Sequence, residues 1–213
     1  MYTLFIKRSL DLILSVIGFV ILIPLTIVIY LALLFIHGGK PLFRQLRPGK
    51  HEKNFYILKF KTMNDGKDSL GNLLPDEQRI TKLGMFLRKT SLDEIPQLIN
   101  IINGDMSLIG PRPLKVSYLP YYTRKESTRH TIRPGITGLA QISGRNLLQW
   151  DERLQKDVEY VENLSFALDC KILFRTLFKV VRSEGVALDS ETGMIDLDEY
   201  RRGGQDLSSL TPE

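Results

Sequence analysis

The chain has 213 residues, enough for one ordinary domain, and its 43% hydrophobic and 25% charged residues exclude global disorder. A single cysteine, Cys170, excludes a disulfide framework and a cysteine-rich zinc module, and the three scattered histidines argue against a histidine-based metal site. The net charge of +5 is uneven, because residues 183–213 hold eight acidic and two basic residues, a net of −6, which leaves +11 for residues 1–182. A basic body with an acidic tail predicts an anionic partner: a phosphorylated ligand, a membrane surface or nucleic acid.

The first predicted element is a membrane helix. Residues 12–36 form a run of 25 residues without Asp, Glu, Lys, Arg or His. As one helix this run would be about 37 Å long, which exceeds the roughly 30 Å of a bilayer hydrocarbon core. The same length argues against a cleavable signal peptide. Pro24 lies in the middle of the run and should kink or break the helix, because proline removes a backbone donor and clashes with the preceding turn.

The topology of this helix is left open by its flanking charges. Basic residues stand on both sides: Lys7 and Arg8 before the run, and Lys40, Arg44, Arg47 and Lys50 after it. The positive-inside rule therefore gives no orientation unless both ends are cytoplasmic. A re-entrant helix that bends at Pro24 and returns to the same face satisfies this condition. A kinked helix that spans the membrane is the alternative, and the residues alone do not decide between the two.

The rest of the chain indicates one α+β domain that is mostly helical. We divide the sequence into a membrane helix over residues 1–38, a domain over residues 39–183 and an acidic tail over residues 184–213. Extended segments are predicted over residues 41–47, before the turn signal Pro48-Gly49, and over the aromatic-rich residues 55–63. Helices are predicted over residues 81–89, 91–102, 117–130, 149–162 and 166–182. Loops are predicted over residues 65–76, 104–113 and 133–145.

The helix over residues 166–182 carries a basic stripe beside a wide apolar face. Its basic residues follow one another at intervals of four, four and three positions: Lys171, Arg175, Lys179 and Arg182. This spacing places them on one side of a helix. The pattern is typical of a helix that lies in a membrane interface. A core helix with a solvated basic edge explains it equally well.

Two adjacent carboxylates, Asp93 and Glu94, begin the predicted helix over residues 91–102. Ser91 and Glu94 match the capping box S-x-x-E, so Glu94 could serve only as a cap. The surrounding cations favour a reactive site instead: Lys82, Arg88 and Lys89 upstream, with Arg112 and Arg133 on Pro- and Gly-stiffened loops downstream. Guanidinium groups are suited to phosphate oxygens. Carboxylates among them can hold Mg²⁺, and one can act as a nucleophile.

Six motifs in one order carry a resemblance to a known family. They are Lys7-Arg8-x-x-Asp11, Phe43-Arg44-Gln45-x-Arg47-x-Gly49, Lys59-Phe60-Lys61-Thr62-Met63, Leu87-Arg88-x-x-Ser91-Leu92-Asp93-Glu94-x-Pro96-Gln97, Asn103-Gly104-Asp105-Met106-Ser107-x-x-Gly110-Pro111-Arg112-Pro113 and Arg133-Pro134-Gly135-x-Thr137-Gly138-x-Ala140-Gln141. The chain resembles the bacterial sugar transferase family, in its class of small monotopic polyprenyl-phosphate phosphoglycosyl transferases. Two departures, Lys61 for the usual Arg and Ile142-Ser143 for Val-Asn, leave the acidic pair intact.

The resemblance implies a fold and an activity. The fold would be a re-entrant helix broken at Pro24, a small cytosolic catalytic domain and amphipathic helices in the interface of the bacterial inner membrane. The activity would move a sugar-1-phosphate from a UDP-sugar to undecaprenyl phosphate and release UMP, as a first membrane step in building a glycoconjugate. Asp93 would be the nucleophile that forms a phosphosugar-aspartate, and Glu94 would hold Mg²⁺ on the diphosphate.

The resemblance also indicates which residues bind substrate. They are Lys59, Arg88, Pro111, Arg112, Pro113, Arg133, Gln141 and Arg145. Each cation has an ordinary explanation as well: Lys59 as an exposed strand lysine, Arg88 as a helix C-terminal cation and Arg112 as a surface loop charge. Within the small class an N-acetylated amino sugar is expected, although neither the sugar, the pathway nor the oligomeric state can be identified from the sequence.

Two other functions compete with this interpretation. A membrane-tethered scaffold that binds anionic lipid through its basic face would need no Asp93. A nucleic-acid binder would fit the sequence pI of about 9.3, but basic-aromatic platforms are missing and a membrane segment would serve no purpose. We therefore expect no nucleic acid among the partners.

Overall fold

A 30-residue helix, α1 (Lys7–Ile36), opens the structure, a computed structural model that describes residues 2, 6–144, 148–181 and 195–208. By length and composition α1 could cross a membrane. The helical conformation continues through Pro24, so the expected break in secondary structure is not seen there. The re-entrant course of α1 stays a prediction.

The described residues form a mostly helical α+β arrangement, as predicted. The strands are β1 (Leu42–Pro48), β2 (Asn54–Phe60), β3 (Ser107–Ile109) and β4 (Gly135–Thr137). The remaining helices are α2 (Asp76–Arg79), α3 (Lys82–Lys89), α4 (Gln97–Asn103), α5 (Leu139–Ser143), α6 (Trp150–Glu162), α7 (Phe166–Val181) and α8 (Leu197–Ser208). β1 and β2 form an antiparallel hairpin, and β3 pairs with β4 in parallel.

Both ends of α1 pack against the same domain. Near its N-terminus, buried Asp11 accepts hydrogen bonds from Ser107 Oγ at 2.5 Å and from the Leu108 amide at 3.2 Å. Near its C-terminus, Ile29 and Leu33 belong to a buried apolar cluster with Phe60, Leu87 and Ile95. Asp11 and Leu33 are 22 positions apart, or about 33 Å along a helix. The domain therefore lies alongside most of α1.

The predicted helix over residues 91–102 is divided. Ser91 takes a left-handed conformation with φ of 57°, and a 3₁₀ turn follows at Leu92–Glu94. The α-helix α4 begins only after Pro96, because proline has no amide hydrogen to donate and fits best at the start of a helix. α4 ends at Gly104, whose φ of 92° makes it the predicted stop. This division puts Asp93 and Glu94 in the turn rather than in the helix.

The prediction of one helix over residues 117–130 is wrong, because this segment is also divided. Two 3₁₀ helices, Val116–Tyr121 and Glu126–Thr131, take its place. The second begins with a capping box, since the Glu126 amide donates to Thr123 Oγ1 at 3.2 Å and Glu126 Oε2 accepts from the Thr123 amide at 2.7 Å. A capping box starts a new helix, so the segment cannot continue as one.

Two predicted loops contain regular structure. Residues 104–113 include β3, and residues 133–145 include β4 and α5. Strands of three residues are too short to show an alternating pattern. Their pairing brings main chains into contact, since a Cβ on Gly135 would lie 2.1 Å from the Gly110 amide nitrogen. Glycine at both positions permits the parallel pair to form.

The acidic tail contains a helix that packs on the domain. Leu197, at the start of α8, is fully buried in a cluster with Leu114, Tyr118, Trp150 and Leu154. Asp196 accepts hydrogen bonds from Lys115 Nζ at 2.5 Å and from Tyr118 Oη at 2.6 Å. No strong sequence pattern predicts this helix, because one buried leucine on a short polar helix has no visible period. Arg182 and the rest of the tail lie outside the described residues.

α7 exposes much of its apolar surface. Phe166, Phe174, Leu177 and Phe178 are each more than half exposed, while Ile172 on the opposite side is fully buried. This distribution is unusual for an ordinary core helix with a solvated edge. α3 also exposes apolar side chains, Met85 and Phe86.

Candidate active site

Asp93 and Glu94 lie in the 3₁₀ turn between α3 and α4. Ser91 stands at the N-cap of this turn, but its side chain accepts no capping hydrogen bond. The Glu94 carboxylate is bound instead by two cations from distant parts of the chain. The capping-box interpretation of Glu94 is therefore wrong.

Glu94 is held by Lys59 of β2 and by Arg112 of the loop after β3. Lys59 Nζ lies 2.6 Å and Arg112 Nη2 lies 2.8 Å from the same oxygen, Glu94 Oε1. Burial alone would raise the pKa of Glu94, but Arg112 and Lys59 together hold it well below its usual value. Glu94 is consequently ionised throughout the physiological pH range.

Asp93 has the opposite electrostatic character. Only 7% of the residue is exposed, and the nearest cation, Lys59 Nζ, lies 3.7 Å from Asp93 Oδ2. Burial raises the pKa of Asp93 above its usual value, although Lys59, with smaller contributions from Arg112 and Arg88, opposes the shift. Two neighbouring carboxyls whose pKa values are pushed apart are suited to different chemical roles.

Arg88 approaches the pair from α3. Its Nε donates to Thr62 Oγ1 at 3.0 Å. α3 can pack this closely because position 84 is glycine, where a Cβ would lie 2.0 Å from the Thr62 carbonyl oxygen. Thr62 thus fixes the direction of Arg88, whose charge acts on Asp93.

Arg112 lies between two buried prolines, Pro111 and Pro113. The Pro111 carbonyl accepts from the Gly135 amide at 3.0 Å, which ties the loop to β4. The Arg112 side chain is 43% exposed, so its guanidinium combines a contact to Glu94 with access to solvent. The prolines position this arginine, and Lys59, Arg88 and Arg112 are all brought around the acidic pair.

Comparison with known proteins identifies the family. Residues 2–183 match the family model described as bacterial sugar transferase. The chain belongs to this family.

Several curated relatives cover most of this bacterial sugar transferase. One, named as an uncharacterized sugar transferase EpsL of Bacillus subtilis, is 51% identical over 81% of this chain and 83% of its own length. The UDP-glucose:undecaprenyl-phosphate glucose-1-phosphate transferase of Klebsiella pneumoniae is 38% identical over 81% of this chain. The undecaprenyl-phosphate galactose phosphotransferase of Salmonella typhimurium is 37% identical over 85%. The chain spans 39% and 41% of the lengths of these last two.

Of the other expected substrate-binding residues of the transferase, Arg133 and Gln141, which both lie in the described ranges, show no hydrogen bond or ion pair to Asp93 or Glu94. Arg133 Nε donates to the Gly104 carbonyl at 2.8 Å, at the C-terminal end of α4, whereas Glu94 precedes the other end. Gln141 lies in α5, and its buried amide atoms have no hydrogen-bond partner within the described part of the chain. Arg145 lies outside the described residues. The binding roles of these three stay predictions.

The sequence interpretation missed Arg129, a residue behind the site. Arg129 is 2% exposed, and its Nη2 donates to the Arg112 carbonyl at 2.7 Å. Nothing in the polar segment around Arg129 indicates burial, because it has neither an apolar period nor a motif. Thr62, which binds Arg88, was also missed, although it stands inside one of the family motifs and could have been found there.

Within the acidic pair, Glu94 is the residue that would hold Mg²⁺, and it would do so together with a substrate. Within the described ranges no three His, Cys, Asp or Glu side chains form a metal-binding group. Both cations bind Glu94 through Oε1, so Glu94 Oε2 takes part in neither of these two hydrogen bonds. Mg²⁺ in proteins is commonly bound by one or two carboxylates plus substrate phosphates. An ionised Glu94 beside a diphosphate would supply such a set.

Proposed function

We propose that this transferase moves a sugar-1-phosphate from a UDP-sugar to undecaprenyl phosphate and releases UMP. The names of the Klebsiella and Salmonella relatives describe transfers to the same lipid carrier. The observation that carries the proposal is the acidic pair: a buried Asp93 with a raised pKa beside an ionised Glu94, with three cations around them. A scaffold that binds lipid has no use for this arrangement.

In this proposal Asp93 is the nucleophile. One of its carboxylate oxygens attacks the β-phosphorus of the UDP-sugar, the bond to the bridging oxygen breaks, and UMP leaves with that oxygen. The product is a phosphosugar-aspartate. An oxygen of the lipid phosphate then attacks the same phosphorus and frees the Asp93 carboxylate.

The neighbours of Asp93 supply what a carboxylate nucleophile lacks. A carboxylate attacks weakly, and its target is itself anionic, so the negative charge of the phosphates must be neutralised. Lys59 lies 3.7 Å from Asp93, and the half-exposed Arg112 guanidinium can meet phosphate oxygens. Arg88 adds a third positive charge from α3. Glu94 would hold Mg²⁺, which supplies further charge neutralisation on the diphosphate when bound.

The membrane arrangement is proposed from the contacts of α1. If α1 crossed the bilayer, the one domain that contacts both Asp11 and Leu33 would have to cross it too. A re-entrant helix, with the catalytic domain on the cytoplasmic face of the inner membrane, avoids this requirement. The exposed apolar faces of α3 and α7 would then lie in the membrane interface. There the polyprenyl lipid and the soluble nucleotide sugar can meet.

The experiment is an assay of UMP release by the purified full chain in lipid nanodiscs. Undecaprenyl phosphate is offered with UDP-glucose, UDP-galactose and their N-acetylated amino analogues, of which we expect an amino sugar to be the substrate. Asp93→Asn should lower the rate by roughly 10⁴-fold or more, because an amide is a far poorer nucleophile. Asp76→Asn, at the exposed start of α2, is the matched control. A scaffold would release no UMP with any sugar.

A further inference from the structure

Arg129 connects three parts of the chain through one buried guanidinium. Its Nη2 lies 2.7 Å and its Nε lies 3.1 Å from Asp157 Oδ2 of α6. Its Nη1 donates to Tyr122 Oη at 3.1 Å, and Nη2 also donates to the Arg112 carbonyl at 2.7 Å. A planar guanidinium can bind three acceptors in this way, whereas a lysine ammonium has no such fork.

The Arg129–Asp157 pair is a poor way to gain stability alone. Both residues are 2% exposed, and removing two charges from water costs more than packing apolar side chains of the same size. Among the described residues no group hydrogen-bonds the second carboxylate oxygen, Asp157 Oδ1. The pair is therefore better explained by what it holds in place.

What it holds is the main chain of Arg112. On one side, the Gly110 amide donates to the Thr137 carbonyl at 2.8 Å, and the Pro111 carbonyl accepts from Gly135, so β4 fixes the chain before Arg112. On the other side, Arg129 binds the Arg112 carbonyl itself. The Arg112 guanidinium points from this fixed backbone to Glu94. Arg129 therefore contacts Arg112, and Arg112 contacts Glu94 of the acidic pair.

We propose that Arg129 and Asp157 are positioning residues of the transfer reaction. They fix the Arg112 backbone so that its guanidinium stays on Glu94 and meets the phosphates of the substrate. This inference rests on the proposed function. A displacement of about 1 Å in a catalytic arrangement can lower a rate by about 100-fold, so a lost backbone anchor should be visible in the chemistry.

The chain offers a matched control that binds the same 3₁₀ helix from outside. Arg201 of α8 donates to Glu126 at 2.6 Å, and Glu126 begins the helix that contains Arg129. This ion pair anchors the same short element but does not contact Arg112. Arg201→Lys therefore disturbs the helix without removing the bond to the Arg112 carbonyl.

The test measures the burst of UMP that the full chain in nanodiscs releases from its UDP-sugar without lipid acceptor. The amplitude of the burst counts the competent molecules, and its rate constant reports the geometry of attack. Arg129→Lys should keep the amplitude and lower the rate constant by about 10- to 100-fold, with a smaller loss in Asp157→Asn. Arg201→Lys should resemble the wild type. If Arg129→Lys does not fold, Asp157→Asn decides by the same two readouts.

A double-mutant cycle separates positioning from general damage. If Arg129 acts through Arg112, Arg129→Lys should lower the rate constant no further in an Arg112→Gln background. The same fold-loss in both backgrounds, or a lower amplitude at the wild-type rate, overturns the positioning role. Failure of the proposed function looks different, because the wild type itself would then release no UMP. If the wild type turns over with lipid acceptor but shows no burst without it, the same double-mutant cycle is measured on kcat.

Discussion

Lys59 Nζ and Glu94 Oε1 form an ion pair of 2.6 Å between β2 and the turn that follows α3. The same nitrogen lies 3.7 Å from Asp93. One cation therefore acts on both carboxyl groups, and it binds more closely to the one with the lowered pKa. Glu94 keeps Lys59 in place, and Lys59 in turn keeps Asp93 from a still higher pKa.

This shared cation predicts how the reaction depends on pH. Asp93 must be ionised to attack, so the burst rate should rise with pH through a midpoint above the usual aspartate pKa. In Lys59→Gln the midpoint should move higher still, because the positive charge that favours the carboxylate is gone. Burst kinetics between about pH 4 and 9 measure both midpoints.

The control for this experiment is Lys61→Gln. Lys61 follows β2 and pairs with the exposed Asp65 at 2.5 Å, away from the acidic pair. Its profile should match the wild type. A midpoint that stays unchanged or falls in Lys59→Gln would contradict the electrostatic role of Lys59.

Glu94→Gln tests the metal. We expect the fold to persist, the rate to fall by about 100-fold or more, and a higher Mg²⁺ concentration to be needed for half-maximal rate, because an amide is a weaker ligand for a hard cation. The measurements are kcat across an Mg²⁺ titration and the melting temperature. Asp76→Asn again provides the comparison, and full activity in Glu94→Gln would remove the metal assignment.

Leu197→Ala tests whether α8 stabilises the domain. Leu197 is fully buried, so the substitution should cost about 2–5 kcal/mol of unfolding free energy. Ile195→Ala, two residues earlier and 52% exposed, should change it by about 0.5 kcal/mol or less. Denaturant unfolding of both variants gives the comparison, and equal small effects would mean that α8 does not stabilise the domain.

Cysteine labelling tests the topology of α1. After Cys170→Ser removes the native thiol, Thr3→Cys and Lys50→Cys place single thiols before and after the helix. A membrane-impermeant reagent should label neither in intact cells and both in inverted vesicles. Labelling of position 3 from outside would show a spanning helix. Pro24→Ala should favour a straighter helix and tests whether proline maintains the re-entrant course.

The sequence predicted the residues that surround the acidic pair better than the residues that hold the neighbouring main chain in position. Lys59, Arg88 and Arg112 stand in motifs whose chemistry is recognisable from residue type, and the structure brings them together around Asp93 and Glu94. Whether Glu94 caps a helix or binds cations could not be decided from S-x-x-E, because the answer depends on contacts with residues 35 and 18 positions away.

The positioning roles of Arg133 and Arg8 depend on tertiary contacts that leave no local signal in the sequence. Arg133 has the composition of a phosphate binder, yet its Nε binds the carbonyl of Gly104. Arg8 donates to the Ile101 carbonyl at 2.7 Å and so stabilises the same end of α4. Unsatisfied carbonyls at a helix end attract cations wherever the chain supplies them. Residue type alone cannot distinguish this use of an arginine from substrate binding.

The packing of α1 has a consequence for how the protein can be handled. Ile29 and Leu33 complete a cluster around Phe60, Leu87 and Ile95, so the proposed membrane helix α1 is also part of the domain's interior. Removing residues 1–38 would not release a water-soluble enzyme. It would expose that cluster and leave Ser107 without Asp11, and the truncated chain should aggregate.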